Sequence, residues 1–318
     1  MMKVLFVASG NKKFGVSSFV ASQAKSLEQA GVDVIVFPVV GHGWKGYAAN
    51  LPKLRKTIRQ ENPDLIHAHY TTCGLLASLV TRKPVVVSVL GSFPNPKAFK
   101  LKWVKFFIKN IWTLTITKSR RTANQISLPG IHVIPNGVNI EQFKPYPFDE
   151  SRKILGFDDG HKYVIFVSNP DRPEKNYKMA EEAVRQLNDP AVRLVPVFDR
   201  PHDDVVRYMS AADALILTSV SEGSPNVIKE AVACNCPIVT TDVGDVRERL
   251  EGLEGCYVAD GNSMDRDSIE LARSVSDKLR LALSFNRRTQ GREKLIQDRI
   301  TTIDIADRLL RIYSSCCR

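Results

Sequence analysis

The sequence predicts two doubly wound α/β domains in tandem. Three observations carry this expectation. Short apolar segments rich in β-branched residues alternate with longer amphipathic ones, the pattern of parallel strands buried on both faces and joined by crossover helices. The alternation starts afresh after a break at Lys144-Pro145-Tyr146-Pro147. A length of 318 residues suffices for two cores of ordinary domain size.

In the first half, strands are expected over residues 4–9, 32–39, 65–68, 85–90 and 114–117. Helices fall between them over residues 17–30, 52–60, 73–80 and 97–111. A brief helix follows Ser119, and Pro135-Asn136-Gly137-Val138-Asn139 ends the half with a tight turn at Asn136-Gly137. The second half places strands over 163–167, 193–198, 214–218 and 238–241, with helices over 177–187 and 203–210 and another starting at Ser224. The tail, 267–313, reads as helical. With the linker within 143–151, the domains are residues 1–145 and 146–318. Ligands of such sheets bind beyond the carboxyl ends of the strands, so the loops after Ser9, Ala68, Leu90, Val167, Phe198 and Thr218 are expected to face one interdomain cleft.

Composition narrows the class. The chain is 43% hydrophobic and 25% charged, with no apolar run near the roughly 20 residues of a membrane-spanning helix. The apolar start Val4-Leu5-Phe6-Val7-Ala8 is too short for a signal peptide and runs into a turn, which favours a first strand. Six cysteines show no C-x-x-C pair and no disulfide-framework spacing, as expected in a reducing cytoplasm. The formal charge of +11 implies an acidic partner, which charge alone cannot assign to nucleic acid, anionic lipid or a phosphorylated substrate.

The most informative stretch is residues 219–244, SVSEGSPNVIKEAVACNCPIVTTDVG. It reads as a loop, a short helix and a returning strand. Ser224 is expected as N-cap with Pro225 in the first helical position. Val227, Ile228, Ala231, Val232 and Ala233 supply the buried face, and Asn235 suits the left-handed stop. The helix start, from Gly223 and Ser224 through Asn226 and Val227, offers free N–H groups and a positive dipole end to an anion. Glu230 lies five residues past Pro225, roughly 7–8 Å along the axis. A diphosphate on the helix start leaves its ribose near that turn, where Glu230 can accept from both ribose hydroxyls while Glu222 meets the group beyond the far phosphate. Singly, Glu222 and Glu230 read as solvated charges. Together, the E-x7-E spacing on a Ser-Pro-started helix resembles the donor-site motif of family 4 retaining glycosyltransferases, enzymes of the GT-B fold. That resemblance implies two Rossmann-like domains facing a cleft, with a last helix (here residues 303–313) crossing back to the first domain. It also implies that Glu222 contacts the donor sugar and Glu230 the nucleotide ribose.

Residues 168–176, Ser-Asn-Pro-Asp-Arg-Pro-Glu-Lys-Asn, follow a strand and carry Arg172 and Lys175. Fixed cations stabilise the negative charge that develops on a departing diphosphate. The stretch resembles the phosphate-binding segment of the same family, although Asn-Pro-Asp-Arg replaces its usual Gly-Arg-Leu opening. The alternative for Arg172 and Lys175 is a surface ion pair with Asp171 or Glu174.

First-domain candidates are weaker. Gly15, before the first helix, fills the place of the family's glycine-rich turn, but no G-x-G-x-x-G is present. His69 ends a strand that resembles the family's His-containing strand end, and it is assigned to the acceptor side, while His67 reads equally as a core residue. Leu90 stands where many relatives carry a His that touches the donor sugar, which leaves Gly91 and Ser92 to supply backbone and hydroxyl contacts.

Asp265-Arg266-Asp267 has the D-x-D form of metal-dependent transferases but precedes a helix start, so it reads as capping and no metal is expected. Residues 97–112 form a basic aromatic helix: Lys102, Lys105 and Lys109 share one side, and Phe99, Trp103, Phe106 and Phe107 cluster on another. A core-packed helix with solvated lysines accounts for this, as does contact with an anionic membrane surface.

The expected function is retaining, metal-independent transfer of a hexose-type sugar from a nucleoside diphosphate to a glycan or lipid-linked acceptor hydroxyl. Beyond the donor substrate no cofactor is expected, and neither is a nucleic-acid partner. The expected location is the cytoplasm, in peripheral contact with the inner face of the membrane. Two rivals stand beside this reading. One is a sugar-nucleotide epimerase or hydrolase on the same fold. The other is a non-catalytic binder of RNA or another polyanion, which charge alone suggests.

Overall fold

A computed structural model describes residues 1–11, 15–91 and 99–317, with backbone only at Phe99 and Lys100. The chain divides into two compact units, Met1–Gly137 with Thr302–Arg318, and Val138–Thr301.

The first unit is built on β1 (Lys3–Ser9), β2 (Asp33–Val39), β3 (Leu65–His69), β4 (Val85–Val89), β5 (Leu114–Thr117) and β6 (Ile131–Val133). These strands are parallel and ordered β2-β1-β3-β4-β5-β6. Its helices are α1 (Ser18–Gln29), α2 (Gly43–Ala48), α3 (Leu51–Glu61), α4 (Thr71–Ser78), α5 (Phe99–Asn110) and α6 (Arg120–Ile126). Residues 4–8 of β1 are all fully buried, because the strand is covered on both faces. Alternate side chains serve opposite layers: Leu5 and Val7 pack with Leu54, Leu76 and Leu101, whereas Val4, Phe6 and Ala8 pack with Val20, Ala24 and Leu27. Each such burial contributes about 1.5–3 kcal/mol.

The second unit contains α7 (Phe148–Leu155), β7 (Lys162–Phe166), α8 (Tyr177–Arg185), β8 (Val192–Pro196), α9 (His202–Ala211), β9 (Ala214–Leu217), α10 (Asn226–Ala233), β10 (Ile238–Thr240), α11 (Val246–Leu250), β11 (Cys256–Val258), α12 (Ile269–Phe285) and α13 (Gly291–Gln297). Its parallel sheet runs β11-β10-β9-β7-β8. Strand order therefore reverses between β7 and β9, the switch point at which doubly wound sheets open a crevice.

The division falls at Gly137/Val138 rather than at 145/146. Val138 donates its N–H to Ile300 O at 3.0 Å, and Phe143 is 5% exposed in the second unit's core, so residues 138–145 are tied to that unit. The helical tail divides into three helices, the first of them, α12, stopped by Asn286 in the left-handed conformation (φ 49°). The last of them, α14 (Thr302–Cys316), belongs to the first unit, where Ile305, Ala306, Leu309 and Tyr313 pack with Val20, Ala24 and Leu27. Unforeseen α7 forms directly after the Pro-rich stretch, with Pro147 preceding it and Gly156 (φ 68°) ending it, so both breakers sit outside the helix.

Candidate functional site

At the switch point of the second sheet, the loops after β7 and β9 converge. Residues Pro173–Lys175 form one 3-10 turn, and Asn176 takes a left-handed conformation (φ 51°) before α8. Thr218 Oγ1 donates to Asn176 O at 2.8 Å, and Val220 N–H donates to Glu174 O at 2.9 Å, which locks the two loops together. Lys175 Nζ consequently pairs with Glu222 Oε1, their side chains 14% and 18% exposed. Ser219 Oγ donates to the same Glu222 oxygen at 2.9 Å. Two residues far apart in sequence thus form one charged cluster at the carboxyl edge of the sheet.

Arg172 is not part of that cluster. Its Nε and Nη2 donate to Glu174 Oε1 at 2.9 and 2.5 Å, and half of its side chain is exposed. A carboxylate two residues along captures the guanidinium, which was the surface pairing weighed as the alternative.

The helix expected at Ser224 begins at Asn226, with Pro225 as N-cap residue and no side-chain cap. Ser224 is drawn elsewhere: its Oγ donates to Asp245 Oδ2 at 2.9 Å and accepts from Lys229 Nζ at 3.0 Å. Asn235 (φ 54°) ends the helix as expected. Gly223 and Pro225 are buried, and Val227 is partly buried against the core. Glu230 sits on the second turn of α10, partly buried, and among the described residues no side chain hydrogen-bonds its carboxylate. Burial pushes the Glu230 carboxyl up to about 7, against an opposing pull from Lys229.

Four residues that sequence reasoning passed over complete the site. Thr218 bonds the neighbouring loop, as above. Gly244 follows β10 at φ 59°, and a Cβ there would lie 2.7 Å from Gly223 O, so only glycine lets the two loops approach. Asp245 and Lys229 are buried charges, 3% and 1% exposed. The signal for Lys229 was a lone cation on the otherwise apolar face it shares with Val232 and Ala233.

In the first unit, His69 ends β3, Gly91 (φ 93°) follows β4, and Gly15 (φ 86°) lies in the connection between β1 and α1. Ser92 lies outside the described residues. His67 is a core residue: Nδ1 meets Tyr313 Oη at 2.5 Å and Nε2 meets Ser88 Oγ at 2.8 Å. His69 is fully buried, stacks on His67 at 4.4 Å, and has no hydrogen-bond partner on either ring nitrogen among the described residues. Burial, then the Lys118 charge, pushes its pKa well below the usual histidine value, so the ring is neutral at pH 7. Tyr70, the next residue, is held at φ 81°, a strained backbone at the mouth of this edge.

The tail of the second unit places Ser268 as the cap of α12, its Oγ accepting from Leu271 N–H at 3.1 Å, with Asp265 and Asp267 exposed beside it. On α5, Leu101 and Val104 are the buried side, while Trp103 (52%) and Phe106 (51%) are exposed together with Lys102 and Lys109. Lysines and aromatics therefore share the outer surface instead of dividing it, because the branched aliphatic residues take the core positions. Lys105 is partly buried.

Comparison with known proteins finds relatives for both units. Residues 16–142 match the family described as Glycosyltransferase Family 4, and residues 162–277 match Glycosyl transferases group 1. The teichuronic acid biosynthesis glycosyltransferase TuaC of Bacillus subtilis is 30% identical over 60% of this chain and 57% of its own length. A UDP-Gal:α-D-GlcNAc-diphosphoundecaprenol α-1,3-galactosyltransferase of Escherichia coli is 24% identical over 76% of the chain and 74% of its own. The structure of HepE from Anabaena in complex with UDP and glucose superposes with a TM-score of 0.72 at 22% identity, covering 99% of this chain and 100% of that one. With two doubly wound parallel-sheet units and both family matches in sequence order, this chain belongs to glycosyltransferase family 4 and has the GT-B fold.

Proposed function

We propose that this chain transfers a sugar from a nucleoside diphosphate, UDP before others, to a hydroxyl of a lipid-linked glycan acceptor, with retention of anomeric configuration. The observation that carries the reading is the Lys175–Glu222 pair at the switch point, with Glu230 unpartnered among the described residues on the second turn of the adjacent α10. The start of α10 and Lys175 receive the diphosphate, Glu230 the ribose hydroxyls, and Glu222 the sugar. Arg172 joins the diphosphate by exchanging Glu174 for a phosphate oxygen. In the reaction the sugar C1–O bond to phosphate breaks, the acceptor oxygen bonds C1 on the same face, and the acceptor proton passes to the leaving phosphate oxygen. No protein nucleophile or metal takes part. The enzyme's contribution is positioning and stabilisation of the charge that develops on the diphosphate.

A UDP-sugar donor is supported by the UDP and glucose in the HepE structure, and a lipid-linked acceptor by the diphosphoundecaprenol named for the Escherichia coli relative. Charge distribution supports work at an anionic membrane from the cytoplasmic side. The first unit holds 22 Lys and Arg against 6 Asp and Glu, whereas the second holds 23 against 28. On the first unit, Lys102, Trp103, Phe106 and Lys109 of α5 place cations beside exposed aromatics, the pairing that favours an anionic interface.

The test is a thermal-shift panel of UDP, GDP, ADP and CMP with their sugar forms, followed by product analysis with labelled donor in the presence of EDTA. One nucleotide series should raise the melting temperature through native-state binding, and the glycosidic product should keep the donor's anomeric configuration. Inverted product contradicts the mechanism. Isomerised or free sugar contradicts transfer, and activity abolished by EDTA contradicts metal independence. Replacing Lys102, Lys105 and Lys109 together by Glu should abolish binding to phosphatidylglycerol vesicles and spare turnover of a soluble acceptor. Unchanged vesicle binding removes α5 from the membrane surface.

A further inference from the structure

Lys229 is a buried ammonium on a helix whose other inward residues are apolar. It reaches beneath the loop that precedes α10 and donates to Ser224 Oγ at 3.0 Å. Ser224 donates in turn to Asp245 Oδ2 at 2.9 Å, and Arg249 Nε donates to the same oxygen at 3.1 Å. The Asp245 side chain is 1% exposed, and its Oδ1 has no partner among the described residues. Such a network is a poor source of stability, since burying its charges costs several kcal/mol per ion and an apolar residue of similar volume often serves as well. A leucine or methionine fits the periodicity of α10 at this position without that cost. What the network does accomplish is geometric: it occupies the Ser224 hydroxyl beside the start of α10 and ties it to β10's outgoing loop, where Gly244 already lies against Gly223.

Resting on the donor reading above, we propose that Lys229 and Asp245 are positioning residues for the diphosphate loop. Together they hold the Ser224 hydroxyl, and with it the backbone of residues 223–225, so that the first N–H groups of α10 are presented to the diphosphate. The charged groups facing Lys229 come from three helices. Asp245 and Glu230 favour its ammonium, Arg249 opposes it, and Lys294 of α13 and Asp298 just after it line the same small cavity. Burial outweighs the favourable charges and brings Lys229 down to about 8, so the ammonium link is lost as pH rises past that value.

The experiment is calorimetric titration of UDP into the wild type, Lys229→Met, Ser224→Ala and the double variant, each checked by circular dichroism. Each single variant should bind UDP about tenfold more weakly, the loss expected for a charge-assisted hydrogen bond. The double variant should bind no more weakly than Lys229→Met, because both changes cut one link. Wild-type affinity should fall from about pH 7.5 to about 9.5, and that fall should vanish in Lys229→Met. Affinity within twofold of wild type in either single variant, additive losses in the double, or an unchanged pH profile in Lys229→Met overturns the proposal. If Lys229→Met does not fold, Ser224→Ala decides alone. A wild type that binds none of UDP, GDP or ADP overturns the donor reading itself, and this inference with it.

Discussion

Replacing Glu230 by Gln separates the cost of this carboxylate from its use. In the folded chain its carboxyl is pushed up to about 7 from 4.5 by burial. An acid raised on folding gives up its proton in the unfolded chain first, so native stability falls as pH rises from about 4.5 through about 7 and then levels. A shift of that size corresponds to about 3 kcal/mol at full burial; because the side chain keeps partial exposure, the working figure is about 1–3 kcal/mol. Glu230→Gln lacks this cost. At pH 8 the variant should melt about 2–10 °C higher than the wild type, and at about pH 4.5 the difference should shrink to a degree or so. Nucleotide binding should move the other way. A carboxylate accepting from two ribose hydroxyls loses about 2–3 kcal/mol when it becomes a neutral amide, which weakens UDP binding about thirty- to a hundredfold. Scanning fluorimetry at the two pH values and calorimetry with UDP at pH 8 read both effects. UDP affinity within twofold of wild type, or a lower melting temperature at pH 8, would rule out this role for Glu230.

Further outcomes follow from other contacts. Lys175→Met removes the cation paired with Glu222 and should lower kcat about a hundredfold or more, the scale of losing one fixed charge-stabilising donor, with circular dichroism unchanged. Gly244→Ala puts a methyl group 2.7 Å from Gly223 O at a positive φ, so it should destabilise the second unit by at least about 1 kcal/mol in urea unfolding and weaken UDP binding. Tyr313→Phe leaves His67 Nδ1 buried without its 2.5 Å partner and should cost about 1–3 kcal/mol in the first unit, leaving UDP affinity unchanged.

Much of this architecture was legible because parallel strands buried on both faces leave continuous apolar runs, as at Val4-Leu5-Phe6-Val7-Ala8 and Val85-Val86-Val87. Lys175 and Glu222 could be brought together from sequence alone, since each follows a strand and the switch-point rule puts such loops on one edge. Asn235 was readable as a helix stop because few residues tolerate its backbone. The remainder turned on competition between side chains that spacing does not reveal. Ser224 looked like a helix cap, but Lys229 and Asp245, the latter 21 residues away, claim its hydroxyl. Arg172 read as a free cation for phosphate, but Glu174, two residues along, holds its guanidinium here. The short edge strand β11 (three residues) carries too little pattern to stand out, and the division at Gly137/Val138 depends on Val138 reaching Ile300, a pairing across more than half the chain.

The central claim is that a pyrophosphate rests on the amino end of α10 with its pentose against Glu230, and a crystal structure with UDP bound tests it most directly. Phosphate oxygens should lie at the backbone of residues 226–228 with Lys175 in contact, and both ribose hydroxyls on the Glu230 carboxylate. Density for UDP elsewhere in the second unit, or a ribose turned away from Glu230, would contradict it.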